Sequence, residues 1–177
     1  MASGRREAWR DNMNLQSFAR AVQLSLRAAV AAGLSLAVAR ILNLEYPIYA
    51  FIAAVIVTDL SPAQTRRLGW RRLLATIVGA TCGARLSGAL PPGPWTNALG
   101  VLIAMLVCSL IRLLEGAKVA GYICGIVMLS YGAEPWSYAF YRLFETILGI
   151  GVAWVISLVP RLIRIDPSES QGPREAG

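Results

Sequence analysis

The sequence predicts an all-α membrane protein with six transmembrane helices. Of its 177 residues, 56% are hydrophobic and 15% are charged, and the mean hydropathy is +0.54. A soluble domain of this length needs more charged surface. Apolar runs that approach the length of a bilayer crossing recur six times, and each gap between them holds charge, proline or glycine. The predicted spans cover residues 18–42, 46–60, 70–90, 95–113, 117–133 and 138–160.

The basic residues predict the orientation of these spans. Seventeen basic and ten acidic residues give a net charge of +7, and an excess of Lys and Arg marks the cytoplasmic loops of membrane proteins. If the N-terminus is cytoplasmic, thirteen of the seventeen lie on that side. We therefore expect a multi-pass protein of the bacterial inner membrane with both termini inside, residues 1–17 being a polar tail and 161–177 a disordered one. This distribution indicates contact with membrane lipid and not with nucleic acid.

The residue types present argue against catalytic and metal sites. The chain has no histidine, and its three cysteines stand far apart within apolar runs, which suits neither a zinc site nor a disulfide framework. Without histidine there is no Ser-His or Cys-His pair, and no glycine-rich phosphate loop or catalytic pair of carboxylates is present. We therefore expect no enzyme activity, no metal and no cofactor.

The third and sixth spans share a pattern at an offset of 70 residues. That pattern has the spacing i, i+4, i+7, i+11, which places each set on one helical face. If it reflects a duplication, three helices per copy make the second copy enter from the opposite side, a 3+3 inverted repeat with a site near the midplane. A chance match between helices rich in small residues is the alternative. The matched sets are Arg72, Thr76, Gly79 and Gly83, and Arg142, Thr146, Gly149 and Ala153.

An arginine deep in the first span is a candidate contact for an anion. An arginine in hydrocarbon costs at least about 2.5 kcal/mol, so it should face protein, water or a counter-charge. Arg27 continues a polar stripe that includes Gln16, Arg20 and Gln23 at helical spacing. It either lines a polar path or extends its side chain to the headgroups.

The stripes of the third and sixth spans complete the predicted anion path. Arginines outnumber carboxylates within the spans, which favours an anionic ligand, and the expected cargo is a small organic anion. For Arg142 a local ion pair with Glu145 is the alternative. Asp59, at the end of the second span, is either a proton-coupling group or a loop carboxylate. The candidate anion contacts are Arg27, Arg72, Thr76, Arg142 and Thr146.

Several stretches between residues 18 and 160 carry a resemblance to a known family. They are Tyr46-Pro47-Ile-Tyr-Ala, the apolar run that closes near Ser61-Pro62, Arg66 with Arg67, Arg72-x-x-x-Thr76-x-x-Gly79 and Arg142-x-x-x-Thr146-x-x-Gly149. Together with the order of the spans, they resemble the fusaric acid resistance protein-like (FUSC) family and the related aromatic acid exporters. The resemblance implies a six-helix unit that moves aromatic or other organic acids outward.

The resemblance also implies an assembly. Larger members of this family duplicate the six-helix unit or append a cytoplasmic helical domain, and the plant aluminium-activated malate transporters are distantly similar dimers. Because the 177 residues hold one such unit, we expect a homodimer. A non-transporting accessory or assembly subunit that packs through its glycine-rich faces is the alternative function.

Overall fold

The structure, a computed structural model, describes residues 2–130 and 134–159, with side chains for 17–129 and 134–159. This part of the chain forms six α-helices and no β-strand, which confirms the all-α prediction. The expectations for Gln16 and for residues 161–177 lie outside the described side chains. The helices are α1 (Ala2–Ile41), α2 (Ile48–Val57), α3 (Pro62–Ala89), α4 (Pro94–Leu110), α5 (Leu114–Ser130) and α6 (Pro135–Leu158).

Proline explains several helix ends that differ from the predicted spans. Pro62, Pro94 and Pro135 each begin a helix, where the fixed φ suits the helix and the missing N–H is not needed. As a result α3 begins eight residues before the predicted span 70–90.

The helix α2 has only ten residues, about 15 Å, because the chain is already extended at Thr58. The predicted tail 1–17 is helical from Ala2, so α1 begins well before the predicted span.

Two helical segments are long and apolar enough to cross a membrane, judged by length and composition. Ser17–Ile41 has 25 residues with a mean hydropathy of 1.6, and Pro135–Leu158 has 24 residues with a mean hydropathy of 1.5. The helices α2 and α4 are apolar but shorter. The prediction of six crossings therefore stays a prediction.

The helices α3 and α6 cross each other and run in opposite directions. Gly69, near the start of α3, lies against Ile150, near the end of α6, whereas Ala80 and Ala139 border the same small groove further along. The remaining helices pack around this pair: α5 and α4 contact α3, and α2 and α1 contact α6. The helix α1 also packs on α2, and α4 on α5.

Two glycines bring neighbouring helices into backbone contact. A Cβ atom on Gly79 would overlap the carbonyl oxygen of Ala120 in α5, and a Cβ atom on Gly149 would overlap the carbonyl oxygen of Ala50 in α2. Small residues permit this close approach in membrane helix pairs. The two contacts are related by an offset of 70 residues, and so are the neighbouring ones, Gly83 with Cys124 and Val127, and Ala153 with Ala54 and Val57.

The interior of the bundle is built from small residues and its outside from large apolar ones. The buried apolar residues are mostly alanine, whereas Trp70 is 61% and Phe140 is 72% exposed. A water-soluble bundle buries its large apolar side chains. The opposite distribution suits a bundle surrounded by lipid, in which close packing and not the hydrophobic effect holds the helices together.

Candidate functional site

One face of α6 carries polar side chains into the bundle. Tyr138, Arg142 and Glu145 follow the spacing i, i+4, i+7, and none is more than 2% exposed. Arg142 lies over the ring of Tyr49 from α2, with its Cζ atom 3.2 Å from the ring centroid. A desolvated cation–π contact is worth about 2 kcal/mol or more, which offsets part of the cost of burying the guanidinium.

Three tyrosines form a cluster beside Arg142. We call Tyr46, Tyr49 and Tyr138 the tyrosine cluster. The Tyr138 ring meets those of Tyr46 and Tyr49 edge to face, with centroids 5.3 and 6.2 Å apart. The Tyr138 hydroxyl donates a hydrogen bond to the Tyr49 hydroxyl at 2.8 Å. Edge-to-face pairs are favourable aromatic arrangements, so the cluster presents a preformed aromatic wall to Arg142.

Tyr122 of α5 connects Arg142 with Arg72 of α3. The Nη2 atom of Arg72 donates a hydrogen bond of 2.8 Å to the Tyr122 hydroxyl. The Cζ atom of Arg142 lies 5.8 Å from the centroid of the same ring. The structure therefore brings together the arginines of the two matched stripes, which we call the arginine pair.

The arginine pair retains unused hydrogen-bond donors. Within the described residues, Nε and Nη1 of Arg72 and Nη1 of Arg142 are buried without a partner. A buried unpaired polar group costs about 1–3 kcal/mol, and more when it is charged. Two neighbouring cations with free N–H groups therefore form a site that an anion would stabilise.

Glu145 forms no ion pair with Arg142. Its Oε1 atom accepts a hydrogen bond of 2.7 Å from the backbone N–H of Tyr46, and its Oε2 atom is buried without a partner in the described part of the chain. In that part the ion pair formed is Arg71 with Glu115, at the surface. The local ion pair considered as an alternative for Arg142 is therefore not formed.

The two predicted threonines bond to their own helices. The hydroxyls of Thr76 and Thr146 donate to the carbonyl oxygens of Arg72 and Arg142, at 2.9 and 2.8 Å. Both threonines are buried next to the arginine pair. Because each hydroxyl proton is already used, these side chains can accept a hydrogen bond from a ligand but have no proton to donate to an anion.

Arg27 lies at a different level of the bundle from the arginine pair. It is 5% exposed, and its Nη1 and Nη2 atoms donate to the carbonyl oxygens of Leu60 and Val159 at 3.2 and 2.6 Å. Val159 follows Arg142 by 17 residues, about 25 Å along a helix. Arg27 therefore joins α1 to the end of α6 and to the α2–α3 connection, and it neutralises exposed carbonyl ends.

Asp59 lies in the connection between α2 and α3. Its Oδ1 atom accepts a hydrogen bond of 3.1 Å from the backbone N–H of Ser61, and its own N–H donates to the Thr65 hydroxyl at 3.0 Å. These bonds order the turn that leads into α3. Asp59 thus has the geometry of a loop carboxylate, and the structure does not bring it to the arginine pair.

The tyrosines of this site were not predicted as functional residues. Tyr138 had a usable signal, because it stands four residues before Arg142 and this spacing places both on one face of α6. Tyr46 and Tyr49 had no such signal, because Tyr46 lies in the connection before α2 begins at Ile48. Tyr122 had no local signal, because it meets Arg72 only through the packing of α5 on α3.

A comparison of this sequence with protein-family models identifies the family to which the chain belongs. A family model described as aromatic acid exporter family member 1 matches residues 21–159. The chain belongs to the aromatic acid exporter family. The matched range of this aromatic acid exporter chain includes the arginine pair, the tyrosine cluster and Glu145. Membership confirms the resemblance found in the sequence, and the description of the family is that of an exporter.

Relatives among curated proteins are longer than this aromatic acid exporter chain. A UPF0421 protein of Staphylococcus epidermidis is 25% identical over 121 residues, which are 67% of this chain and 36% of the relative. UPF0421 proteins of Staphylococcus saprophyticus and Staphylococcus haemolyticus are 27% and 24% identical, over 67% and 64% of this chain and 36% and 35% of theirs. The chain thus spans about a third of the length of these relatives. The comparison with solved structures finds no match.

Proposed function

We propose that the protein carries small aromatic carboxylates outward across the bacterial inner membrane, with the arginine pair as the binding site. One observation carries the proposal: two buried guanidinium groups keep unpaired N–H donors beside an aromatic wall. Guanidinium groups recognise carboxylates through paired N–H donors. The ring of the cargo would meet the tyrosine cluster edge to face.

The net charge of the site favours a monocarboxylate. Before the cargo binds, Arg72 and Arg142 contribute two positive charges and an ionised Glu145 one negative charge, so one net positive charge attracts a single carboxylate. Both arginines are nearly closed off, at 5% and 2% exposed, whereas Tyr122 is 37% exposed. We therefore assign Tyr122 the role of a gate that exchanges its hydrogen bond with Arg72 for the carboxylate.

We further propose that the six predicted spans all cross the membrane as a 3+3 inverted repeat with both termini cytoplasmic, the second span combining the short helix α2 with the extended residues that follow it. The antiparallel crossing of α3 and α6 supports this arrangement. So do the paired contacts of Gly79 with Ala120 and Gly149 with Ala50, because each half places its third helix on the second helix of the other half. In this arrangement each half contributes one arginine to a site between the halves, as in other inverted-repeat transporters.

Transport is tested with two anions that differ only in the ring. Hippurate and N-acetylglycine share the same amide and carboxylate, and the phenyl ring of hippurate is replaced by a methyl group. We expect purified protein in vesicles to move radiolabelled hippurate well above protein-free vesicles, and several times faster than N-acetylglycine. Equal rates would remove the tyrosine cluster from the mechanism, and no flux of any carboxylate would contradict the proposed function.

Tyr49 allows the aromatic contact to be tested separately from its hydroxyl. Tyr49→Phe keeps the ring under Arg142 and loses the hydrogen bond from Tyr138, whereas Tyr49→Leu loses the ring. We expect Tyr49→Leu to lower hippurate flux about tenfold or more, in line with a contact of about 2 kcal/mol. Tyr49→Phe should stay within about threefold of the parent, since one neutral hydrogen bond contributes about 1 kcal/mol or less. Similar losses in both variants would contradict a cation–π role, provided that their thermal unfolding is matched.

Glu145 is the carboxylate that we propose for proton coupling, in place of Asp59. The charged groups near it are Arg142 on the same helix and Glu45 in the α1–α2 connection, and the neighbouring titratable rings are those of the tyrosine cluster. An entering carboxylate adds negative charge next to a carboxylate that has one unpaired oxygen. Uptake of a proton by Glu145 relieves this repulsion, so anion binding and protonation of Glu145 favour each other.

Paired carboxylate variants distinguish the two coupling candidates. In vesicles with an imposed pH difference, we expect Glu145→Gln to abolish the dependence of hippurate flux on that difference while flux itself persists. Asp59→Asn should keep the dependence, because Asp59 bonds only within its turn among the described contacts. The reverse result would restore the sequence-based assignment to Asp59.

A non-transporting accessory subunit is the second candidate function. The near-complete closure of the arginine pair favours it, because a statically closed site passes no ion. In that case the purified protein moves neither anion. Co-purification with a partner would not make the arginine pair of this chain a transport site.

A further inference from the structure

Two grooves mark the outer surface where α3 crosses α6. The larger one has a volume of about 320 Å³, and six of its lining residues are Arg66, Gly69, Trp70, Ile147, Gly151 and Trp154. The smaller one has a volume of about 100 Å³. Every lining residue of the smaller groove is 70 positions away from a lining residue of the larger one. The grooves therefore occupy equivalent places along the two crossing helices.

Three replacements make the two grooves chemically different. Thr81 stands in the smaller groove where Gly151 leaves the larger one open, and Ala139 stands where Gly69 lies under the side chain of Ile150. The third replacement is Trp136 in the position equivalent to Arg66. The larger groove consequently combines an apolar floor with a positive charge, whereas the smaller groove has no charged lining residue and about a third of the volume.

The positive charge lies at one end of the larger groove. Arg66 is the first lining residue of α3 and Trp154 the last lining residue of α6, and the two helices are antiparallel, so both lie at the same end. Arg66 is exposed and forms no ion pair with any residue whose side chain is described. Tryptophan side chains are enriched at the level of the lipid headgroups, which assigns Trp70 and Trp154 to the headgroup end of the groove.

We propose that this groove binds one anionic phospholipid of the phosphatidylglycerol type. Its phosphate contacts Arg66, and one acyl chain lies over Ile150 and along the open surface at Gly151. The lipid and the groove match in the order of their parts. A phospholipid has a negative headgroup next to an apolar chain, and the groove has a cation next to an apolar floor. A second copy docked by this face about a two-fold axis along the membrane normal would bring its own Arg66 to the same depth, and like charges would oppose that contact. The proposal does not depend on transport.

The structure offers variants that change the groove without straining the fold. A Cβ atom on Gly151 would meet nothing within 4 Å, so the backbone there accepts a side chain, and Gly151→Leu places one in the groove. Arg66→Gln removes the charge. Matched controls are Arg67→Gln, an exposed neighbour that does not line the groove, and Gly33→Leu, which enters open space on α1.

Lipid binding is measured on the purified full chain by native mass spectrometry and by thermal unfolding, with phosphatidylglycerol, phosphatidylcholine or inorganic phosphate added. We expect one phosphatidylglycerol to be retained and to raise the unfolding temperature more than phosphatidylcholine does. Arg66→Gln should lower retention about fivefold, since one headgroup contact is worth about 1 kcal/mol. Gly151→Leu should abolish retention, and both controls should behave like the parent.

Three outcomes would overturn the proposal. The first is equal retention by the parent, Arg66→Gln and Gly151→Leu. The second is an equal stabilisation by inorganic phosphate, which would reduce the site to an adventitious ion. The third is conversion of a dimer to a monomer by Gly151→Leu, which would make a second copy the occupant.

Discussion

Hippurate flux should fall about 10- to 100-fold when Arg142 is replaced by Gln. A hydrogen bond to a charged group is worth about 1.5–3 kcal/mol, and each 1.4 kcal/mol is a factor of about ten. Arg142 is 2% exposed and lies over the Tyr49 ring with a free Nη1 atom, so a neutral amide there removes the strongest attraction for a carboxylate. The measurement is the initial rate of tracer entry into vesicles that contain equal amounts of folded protein.

Arg72 and Arg85 both lie on α3, and they allow the loss of a buried arginine to be compared with the loss of an exposed one. Arg72→Gln should reduce flux by a similar factor, and Arg85→Gln should not, because Arg85 is exposed on α3 away from the arginine pair. If both arginines bind one carboxylate, the double variant should lose less than the product of the single losses. Parent-like flux in Arg142→Gln, with unchanged unfolding, would remove Arg142 from the site.

Adding a methyl group at Gly79 or Gly149 should destabilise the bundle by a similar amount, about 1–3 kcal/mol for each substitution to Ala. Each new Cβ atom would overlap a carbonyl oxygen on the neighbouring helix, and backbone cannot yield as a flexible side chain does. The helices must then move apart at the contacts that hold α3 on α5 and α6 on α2. Thermal unfolding in detergent, followed by the monodisperse fraction, measures the effect.

Gly33→Ala is the control for these substitutions. A Cβ atom on Gly33 would meet nothing within 4 Å, so this change should leave stability unchanged or raise it by up to about 1 kcal/mol through helix propensity. If Gly79→Ala and Gly149→Ala unfold like Gly33→Ala, the backbone contacts are not what holds these helices. A large effect at one glycine and none at the other would argue against the inverted repeat.

Much of the helical architecture could be predicted because its causes are local. Apolar runs indicate helices in lipid, and proline sets helix starts at Pro62, Pro94 and Pro135. The shortness of α2 was also visible, as an apolar run bounded by Pro47 and by the polar stretch that follows Val57. The helical start of α1 at Ala2 was not predicted. An apolar run indicates only the part of a helix that contacts lipid, and it does not indicate how far the helix continues into water.

The candidate site was predicted only in part. Helical spacing correctly assigned Arg72 and Arg142 to buried faces. The same spacing allowed an ion pair of Arg142 with Glu145, yet Arg142 meets the Tyr49 ring and Glu145 meets the Tyr46 N–H. Helix geometry shows which groups are within reach of each other, and it does not show the competing partners that other helices bring.

Burial of Arg27, Arg72 and Arg142 could thus be predicted from the sequence, through the helical period and the cost of placing a charge in lipid. The partners of those arginines were decided by the tertiary structure. Arg27 meets carbonyl oxygens at a helix end, whereas Arg72 and Arg142 meet across the α3–α6 crossing beside Tyr122. The physical reason is that Gly79 packs α3 on α5 and Gly149 packs α6 on α2 through backbone contacts between segments far apart in the chain. No local pattern encodes their register.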